Sequence, residues 1–255
     1  MDLLCKQSAK ELANLVRKKD VSSKEVVEAH LNRISEVNPY LNAVTLTLEE
    51  SALKASEIAD NASDSDRQRP FHGIPFSVKE NIDLLGTPTT NGVPFLAEAM
   101  PNRNDPIVDR MIQAGAIPIA RTNMPEMGMR LDTDNPLRGR TKNPWNKNLT
   151  PGGSSGGDAA ALAVGMTPFG LGNDIGGSLR NPAYCCGIAS LKPSAGRVPW
   201  APSLDPMDMG IPLALLSNGP MARSVDDLRI GLSVLSGRHV ADPDSIDVPP
   251  SSPLS

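Results

Sequence analysis

Apolar residues recur at helical spacing near the N-terminus and in short blocks further along, and most blocks carry a start or stop signal. Ser8-x-x-Glu11 is a capping box ahead of Leu12, Leu15 and Val16, which share one helical face. Ser22-x-x-Glu25 is a second box, ahead of Val26, Val27, Leu31, Ile34 and Val37. Asn38-Pro39 is expected to stop that helix, because proline has no N–H to donate. A third helix is predicted over 47–60, and the polar, charged stretch 61–69 is expected to be an exposed loop.

Beyond residue 70 short apolar runs alternate with helical ones. Ile74-Pro-Phe-Ser-Val78 predicts a strand that delivers Lys79. Asp105-Pro106 supplies an N-cap and a proline at the first position of a helix running to Gln113, with Gly115 as its stop. A strand is predicted over 116–120, an Ala-rich helix over 156–164, a buried strand over 167–172 ending at Asn173, and a helix over 225–235. Strands alternating with helices predict an α/β fold with a mixed, largely parallel central sheet flanked by helices. The expected organisation is a core over 1–237, with N-terminal helices at 8–60 and an α/β part at 70–237. The Pro-, Ser- and Asp-rich tail 238–255 reads as linker or disorder.

A chain of 255 residues can bury a sizeable core. A net charge of −4 without a basic stripe argues against nucleic-acid partners and anionic membranes. No apolar run reaches the roughly 18–20 residues of a membrane span, and the N-terminus lacks an apolar stretch of signal-peptide length. Cys185 and Cys186 are adjacent and Cys5 is distant, so reduced thiols in a cytoplasmic protein are expected.

The chemistry concentrates in two Gly-rich loops. One reads Pro151-Gly-Gly-Ser-Ser-Gly-Gly157 and the other Asn173-Asp-Ile-Gly-Gly-Ser-Leu-Arg180. Glycine tolerates backbone angles that let successive N–H groups face one concavity, which makes a nest for an anion. A serine beside such a nest has oxyanion donors next to its own hydroxyl, the layout that acyl transfer needs. The first loop alone is equally compatible with a flexible loop or a phosphate cradle, although it lacks the Lys-Ser/Thr ending of a Walker A loop. A histidine-based triad is hard to assemble: His30 lies on a predicted helix, His72 before a strand and His239 in the tail.

Taken together, the two loops resemble the amidase signature family of serine hydrolases. The likeness extends to His72-Gly-Ile-Pro-Phe-Ser-Val-Lys-Glu-Asn81, Arg121-Thr-Asn-Met-Pro-Glu126, Asn143-Pro-Trp145, Cys186-Gly-Ile-Ala-Ser-Leu-Lys-Pro193 and Gly219-Pro-Met-Ala-Arg223. The resemblance implies the family's fold, with the α/β part holding the catalytic residues. It also implies a Ser-Ser-Lys relay, with Ser178 as nucleophile, Ser154 as bridging residue after a cis peptide bond, and Lys79 as general base. The N–H groups of Ile175, Gly176, Gly177 and Ser178 match the family's oxyanion hole. A lysine is useless as a base while it is an ammonium ion, and burial in an apolar, cation-free site favours the neutral amine. Asp174 and Arg180 are expected to brace the loops, Ser155 to be a hydrogen-bonding neighbour, and Met127, with Met129, to line an acyl pocket. No cofactor or metal is implied.

Two departures from the family pattern stand out. Asn173 occupies a position where the family usually has Thr or Ser, which alters the donor set near the relay. The family also continues well past the equivalent of Gly237, so this chain reads as a fragment, a truncated product or a short variant. Exposed apolar sheet faces and association, a homodimer included, would follow. The leading expectation is an amidase acting on a small-molecule amide, an aryl or alkyl carboxamide. The alternatives are the glutaminase subunit of a tRNA-dependent amidotransferase and a non-catalytic truncated module. The stretch Arg197–Met209 lacks the Tyr-Gly-Leu-rich character usual in the amidotransferase subunits.

Overall fold

The first two helices, α1 (Ala9–Lys18) and α2 (Ser23–Leu41), begin at their capping boxes. Ser8 and Ser22 accept the N–H groups of Glu11 and Glu25, whose carboxylates reach back to the serine N–H groups. Each helix start also receives a carboxylate from elsewhere in the chain. Asp227 accepts from Ala9 and Lys10, and Asp60 accepts from Ser23 and Lys24. Unpaired N–H groups and the positive end of the helix dipole favour acids there. The computed structural model from which these contacts come describes residues 2–203 and 215–247.

The expected stop at Asn38-Pro39 is corrected. Helix α2 carries Pro39 inside its last turn and ends at Leu41, capped by Asn42, which adopts φ 54°. Pro39 forfeits one bond, the N–H that would have met Ser35 O, but the turn is still closed by Asn42 N–H onto Asn38 O at 2.8 Å. The Asn38 side chain instead secures the next strand, accepting from Ala43 and Val44 and donating to Val44 O.

The sheet contains β1 (Val44–Thr47), β2 (Pro75–Lys79), β3 (Ile117–Thr122), β4 (Phe169–Asp174), β5 (Ala189–Ser190) and β6 (Ser217–Ala222). Their spatial order is β1-β3-β2-β4-β6-β5. The central pairings β3–β2 and β2–β4 are parallel, and the outer pairings are antiparallel. The fold is therefore α/β with a mixed sheet. Parallel pairing brings the C-terminal ends of β2, β3 and β4 to one side, with Lys79 opposite Thr122. That side is where open α/β sheets bind their ligands.

The remaining helices are α3 (Glu49–Asp60), α4 (Pro106–Gln113), α5 (Gly156–Ala163), α6 (Arg180–Cys186) and α7 (Val225–Leu235). Two apolar clusters form the core. Phe76, Val78, Phe169 and Leu171 pack with residues of α1, α4 and α7, while Ile117, Ile119 and Met221 pack with α2, α3 and α5. Alternation along β2 turns Ser77 and Lys79 away from Phe76 and Val78, toward α5. Helix α5 is short, Ala-rich and buried from Gly156 to Leu162. It fits close to the sheet because β4 presents glycine there: a Cβ at Gly170 would lie 3.0 Å from Asp158 Oδ1 of α5, and one at Gly172 2.7 Å from Ser155 Oγ at the helix start. Arg223 closes the far end of α5 by donating to Leu162 O and Thr167 O.

The loop 61–69 is largely exposed, apart from buried Arg67. The tail differs from the linker expectation over residues 238–247. Ile246 N–H donates to Gly196 O at 2.9 Å, the Asp242 carboxylate accepts Trp200 N–H at 2.9 Å, and Arg110 donates to the carbonyls of Leu235, Gly237 and Arg238. Its Asp and Ser residues serve turns that pack on the core. Residues 248–255, and 204–209 of the stretch compared with the amidotransferase subunits, lie outside the described residues. Among the described residues no helix is long and apolar enough to cross a membrane.

Candidate active site

Lys79 stands at the C-terminal end of β2 and is fully buried. Its Nζ donates to Ser154 Oγ at 2.7 Å and to Asn173 Oδ1 at 2.8 Å. Burial pushes the amine down to about 7, against the opposing pull of the Asp158 and Asp174 carboxylates. Asp158, in the first turn of α5, accepts from Ser77 Oγ at 2.8 Å and Thr122 Oγ1 at 2.6 Å. Burial pushes its carboxyl up to about 6, and those two hydroxyls hold it from rising further. Neutral and charged forms of Lys79 are thus both within reach near neutral pH.

The loop carrying Ser154 is pinned from several directions. The Gly153-Ser154 peptide is cis. Thr133 Oγ1 donates to Gly152 O, Gly152 N–H donates to Thr150 Oγ1, and Gly153 N–H donates to Asn181 Oδ1. Ser155 N–H donates to Ser178 O at 3.1 Å, which ties the two serine loops together. Ser155 thus neighbours Ser178 through a backbone hydrogen bond. Its buried hydroxyl has no partner among the described residues, and only its backbone serves the site.

The loop carrying Ser178 is organised by one carboxylate. Asp174 accepts from Gly177 N–H at 2.7 Å, from Leu179 N–H at 3.0 Å, and from Nε and Nη2 of Arg180, each at 3.0 Å. Burial alone would raise the Asp174 carboxyl, but the Arg180 pair and the N–H donors outweigh it and hold it below the usual carboxylate range. This bears on the oxyanion expectation. The Gly177 N–H is occupied by Asp174, so it is not free for an oxyanion in this arrangement. Among the described residues the N–H groups of Ile175, Gly176 and Ser178 have no partner. The Ser178 side chain is half-buried and donates to no described residue.

Met127 lies on a backbone segment that borders Ser154. It adopts φ 52°, and its N–H donates to Asn91 O at 2.8 Å. The adjoining Gly128 approaches so closely that a Cβ there would be 3.4 Å from Ser154 Oγ. Met129, the other residue expected at an acyl pocket, is largely exposed. The histidines are elsewhere: His30 faces Val26 O at 2.8 Å, His72 faces Ala59 O at 3.0 Å, and His239 Nδ1 accepts from Ala241 N–H.

Three residues at the site have no role legible from the motifs alone. Asn173 stands out in the sequence only as a departure, yet it bonds Lys79 directly. Asn81 bonds Asn173. Asp158 has a sequence signal, an acid in an otherwise Ala-rich, buried helix, a pattern that demands a partner for its charge.

The family model for Amidase matches residues 25–255. The chain belongs to the amidase family. This amidase-family chain is 44% identical over 238 residues to an indoleacetamide hydrolase of Bradyrhizobium diazoefficiens, covering 92% of the chain and 45% of the relative. It is 37% identical over 246 residues to a glutamyl-tRNA(Gln) amidotransferase subunit from Prochlorococcus marinus, covering 94% of the chain and 48% of the relative. Its structure is similar to 6-aminohexanoate cyclic dimer hydrolase in complex with substrate, with TM-score 0.85 and 34% identity over 98% of this chain and 50% of that one. The chain spans about half the length of the curated relatives it matches.

Proposed function

We propose that this amidase-family chain hydrolyses a carboxylic amide through an acyl-serine intermediate. Ser178 Oγ attacks the amide carbon and passes its proton to Ser154, which passes its own to neutral Lys79. The oxyanion is met by the N–H groups of Ile175, Gly176 and Ser178. The leaving amine takes the proton back through Ser154. Water then attacks the ester carbon, gives a proton to the relay, and releases the carboxylic acid and free Ser178. The observation that carries this reading is the 2.7 Å contact of the buried Lys79 amine with Ser154. The proposed substrate is a small aryl or alkyl carboxamide, a choice supported by the similarity to an indoleacetamide hydrolase. A cytoplasmic location fits the three free thiols.

The test is labelling with a fluorophosphonate and mapping of the adduct, followed by a panel of amides varied in acyl and amine parts. An adduct on Ser178 and turnover of a carboxamide are expected. No adduct and no turnover would leave a non-catalytic module. A second reading, the glutaminase component of an amidotransferase, draws on the similarity to the Prochlorococcus amidotransferase protein. Glutamine hydrolysis that depends on tRNA and a co-purifying partner would favour it over the first.

A further inference from the structure

Lys79 has two polar neighbours, and only one belongs to the proposed proton path. The other is Asn173, which is itself held by Asn81. Asn173 Nδ2 donates to Asn81 Oδ1 at 3.1 Å, and Asn81 Nδ2 donates back to Asn173 Oδ1 at 3.3 Å. Asn173 is buried, and the pair links the end of β4 to the residue pair that follows β2.

We propose that the Asn81–Asn173 amide pair is a positioning device for Lys79, fixing the direction of its lone pair and its affinity for the relayed proton. A primary amide can face a neighbour with oxygen or with NH₂. The reciprocal bonds with Asn81 turn the Asn173 oxygen toward Lys79. That oxygen can only accept, so it takes one N–H of the neutral amine. The amine lone pair is then available to the Ser154 hydroxyl. When the proton arrives, the same oxygen stabilises the ammonium. Asn173 is therefore a positioning residue that acts through Lys79, and the proposal rests on the Lys79–Ser154–Ser178 reading above.

Other charges near Lys79 are accounted for. Asp158 on α5 and Asp174 on β4 both favour the ammonium. Glu80, next in the chain, is engaged by Thr45, Thr90 and Arg138. Arg121 of β3 donates to Ile82 O. None of these touches Nζ, whereas Asn173 does.

The test measures Lys79 itself and does not require turnover. Protein carrying ¹³C-labelled lysine is titrated by NMR, with the Lys79 signal assigned by its loss in Lys79→Met. Asn173→Asp should raise the Lys79 midpoint by about 1–3 pH units, because an opposite charge is placed beside it. Asn173→Leu, which removes the acceptor, should lower it. Asn173→Thr restores an acceptor and should return it toward the wild-type value. Asn81→Ala should move it in the direction of Asn173→Leu. The pH limb of fluorophosphonate labelling at Ser178 should follow these midpoints. Midpoints unchanged in Asn173→Leu and Asn173→Asp would overturn the proposal, and so would a shift in Asn173→Thr as large as in Asn173→Leu. If the Asp variant does not fold, the Leu and Thr variants decide. Moving midpoints with an unlabelled wild-type Ser178 would sink the hydrolase reading while supporting the control of Lys79 by the amide pair.

Discussion

The amine of Lys79 and the hydroxyl of Ser154 meet at 2.7 Å although 75 positions separate them in the chain. One is delivered by the end of a central parallel strand, the other by the loop that opens the buried helix α5. The fold offers the amine neutral partners at contact distance and keeps the nearest carboxylates out of direct hydrogen bonding with it. A buried charge without a paired counter-charge is costly, and a titratable group answers by giving up its proton. The burial that completes the core is thus also what equips Lys79 for the base role proposed for it.

Removing the Ser154 hydroxyl breaks the path while leaving the backbone donors in place. Ser154→Ala should lose roughly 10²–10⁴ in rate, the scale of acid–base assistance. Its circular dichroism should match the wild type. A near-wild-type rate on the best amide of the panel would remove Ser154 from the mechanism.

The pH dependence of activity should report Lys79. kcat/KM should rise with pH through about 7 and then level off. Stability follows with a defined sign. The folded value lies below the ordinary 10.5, so charging Lys79 opposes folding. The penalty is absent above that ordinary value, grows as pH falls, and is complete below about 7. Lys79→Met should therefore be the more stable form in urea at about pH 6, with the advantage fading in strong alkali. A variant less stable than wild type at acid pH would contradict the assignment.

Much of this site can be read from the sequence, and the limits are physical. The capping boxes at Ser8 and Ser22 and the Asp105-Pro106 start are local signals and appear in the structure as read. The stop at Pro39 came one turn too early, because the helix forfeits a single bond there and Asn42 still closes it onto Asn38 O. The two Gly-Ser loops announce an anion nest, but the use of each N–H depends on a side chain folding back. Nothing in the motif signals that Asp174 occupies the Gly177 donor. Asn173 looks like a replaced hydroxyl until its amide is seen between Lys79 and Asn81, which come from another strand end.

Two glycines of the serine loops should respond very differently to a methyl group. A Cβ on Gly157 would run into the backbone N and O of Asn123 and lie 2.8 Å from Ala43 O. Backbone cannot move aside cheaply, so Gly157→Ala should destabilise by about 1–3 kcal/mol or more, in line with overpacking. A Cβ on Gly176 meets nothing within 4 Å. Gly176→Ala should keep near wild-type stability and lose labelling at Ser178 if the space over that glycine receives the substrate carbonyl. Equal thermal midpoints for the two variants would contradict this packing.

Asp174 should prove the main structural support of the loop that carries Ser178, and Arg180 its lesser partner. The Arg180 side chain is 57% exposed while that of Asp174 is fully buried. Loss of Arg180 lets water replace one partner, while the N–H groups of Gly177 and Leu179 still satisfy the carboxylate. Loss of Asp174 strands those donors, at about 1–3 kcal/mol for each buried group left unpaired. Asp174→Ala should therefore cost more than Arg180→Ala in urea unfolding near neutral pH. Acid adds a second check. The folded Asp174 carboxyl sits below its ordinary 3.8, so its contribution is present above that value. It is lost as pH falls through the folded value. Wild-type stability should decline in that acid range more steeply than that of Asp174→Asn, which has no charge to lose there. Parallel acid limbs for the two proteins, or a larger loss for Arg180→Ala than for Asp174→Ala, would show that the loop is held by something other than this carboxylate.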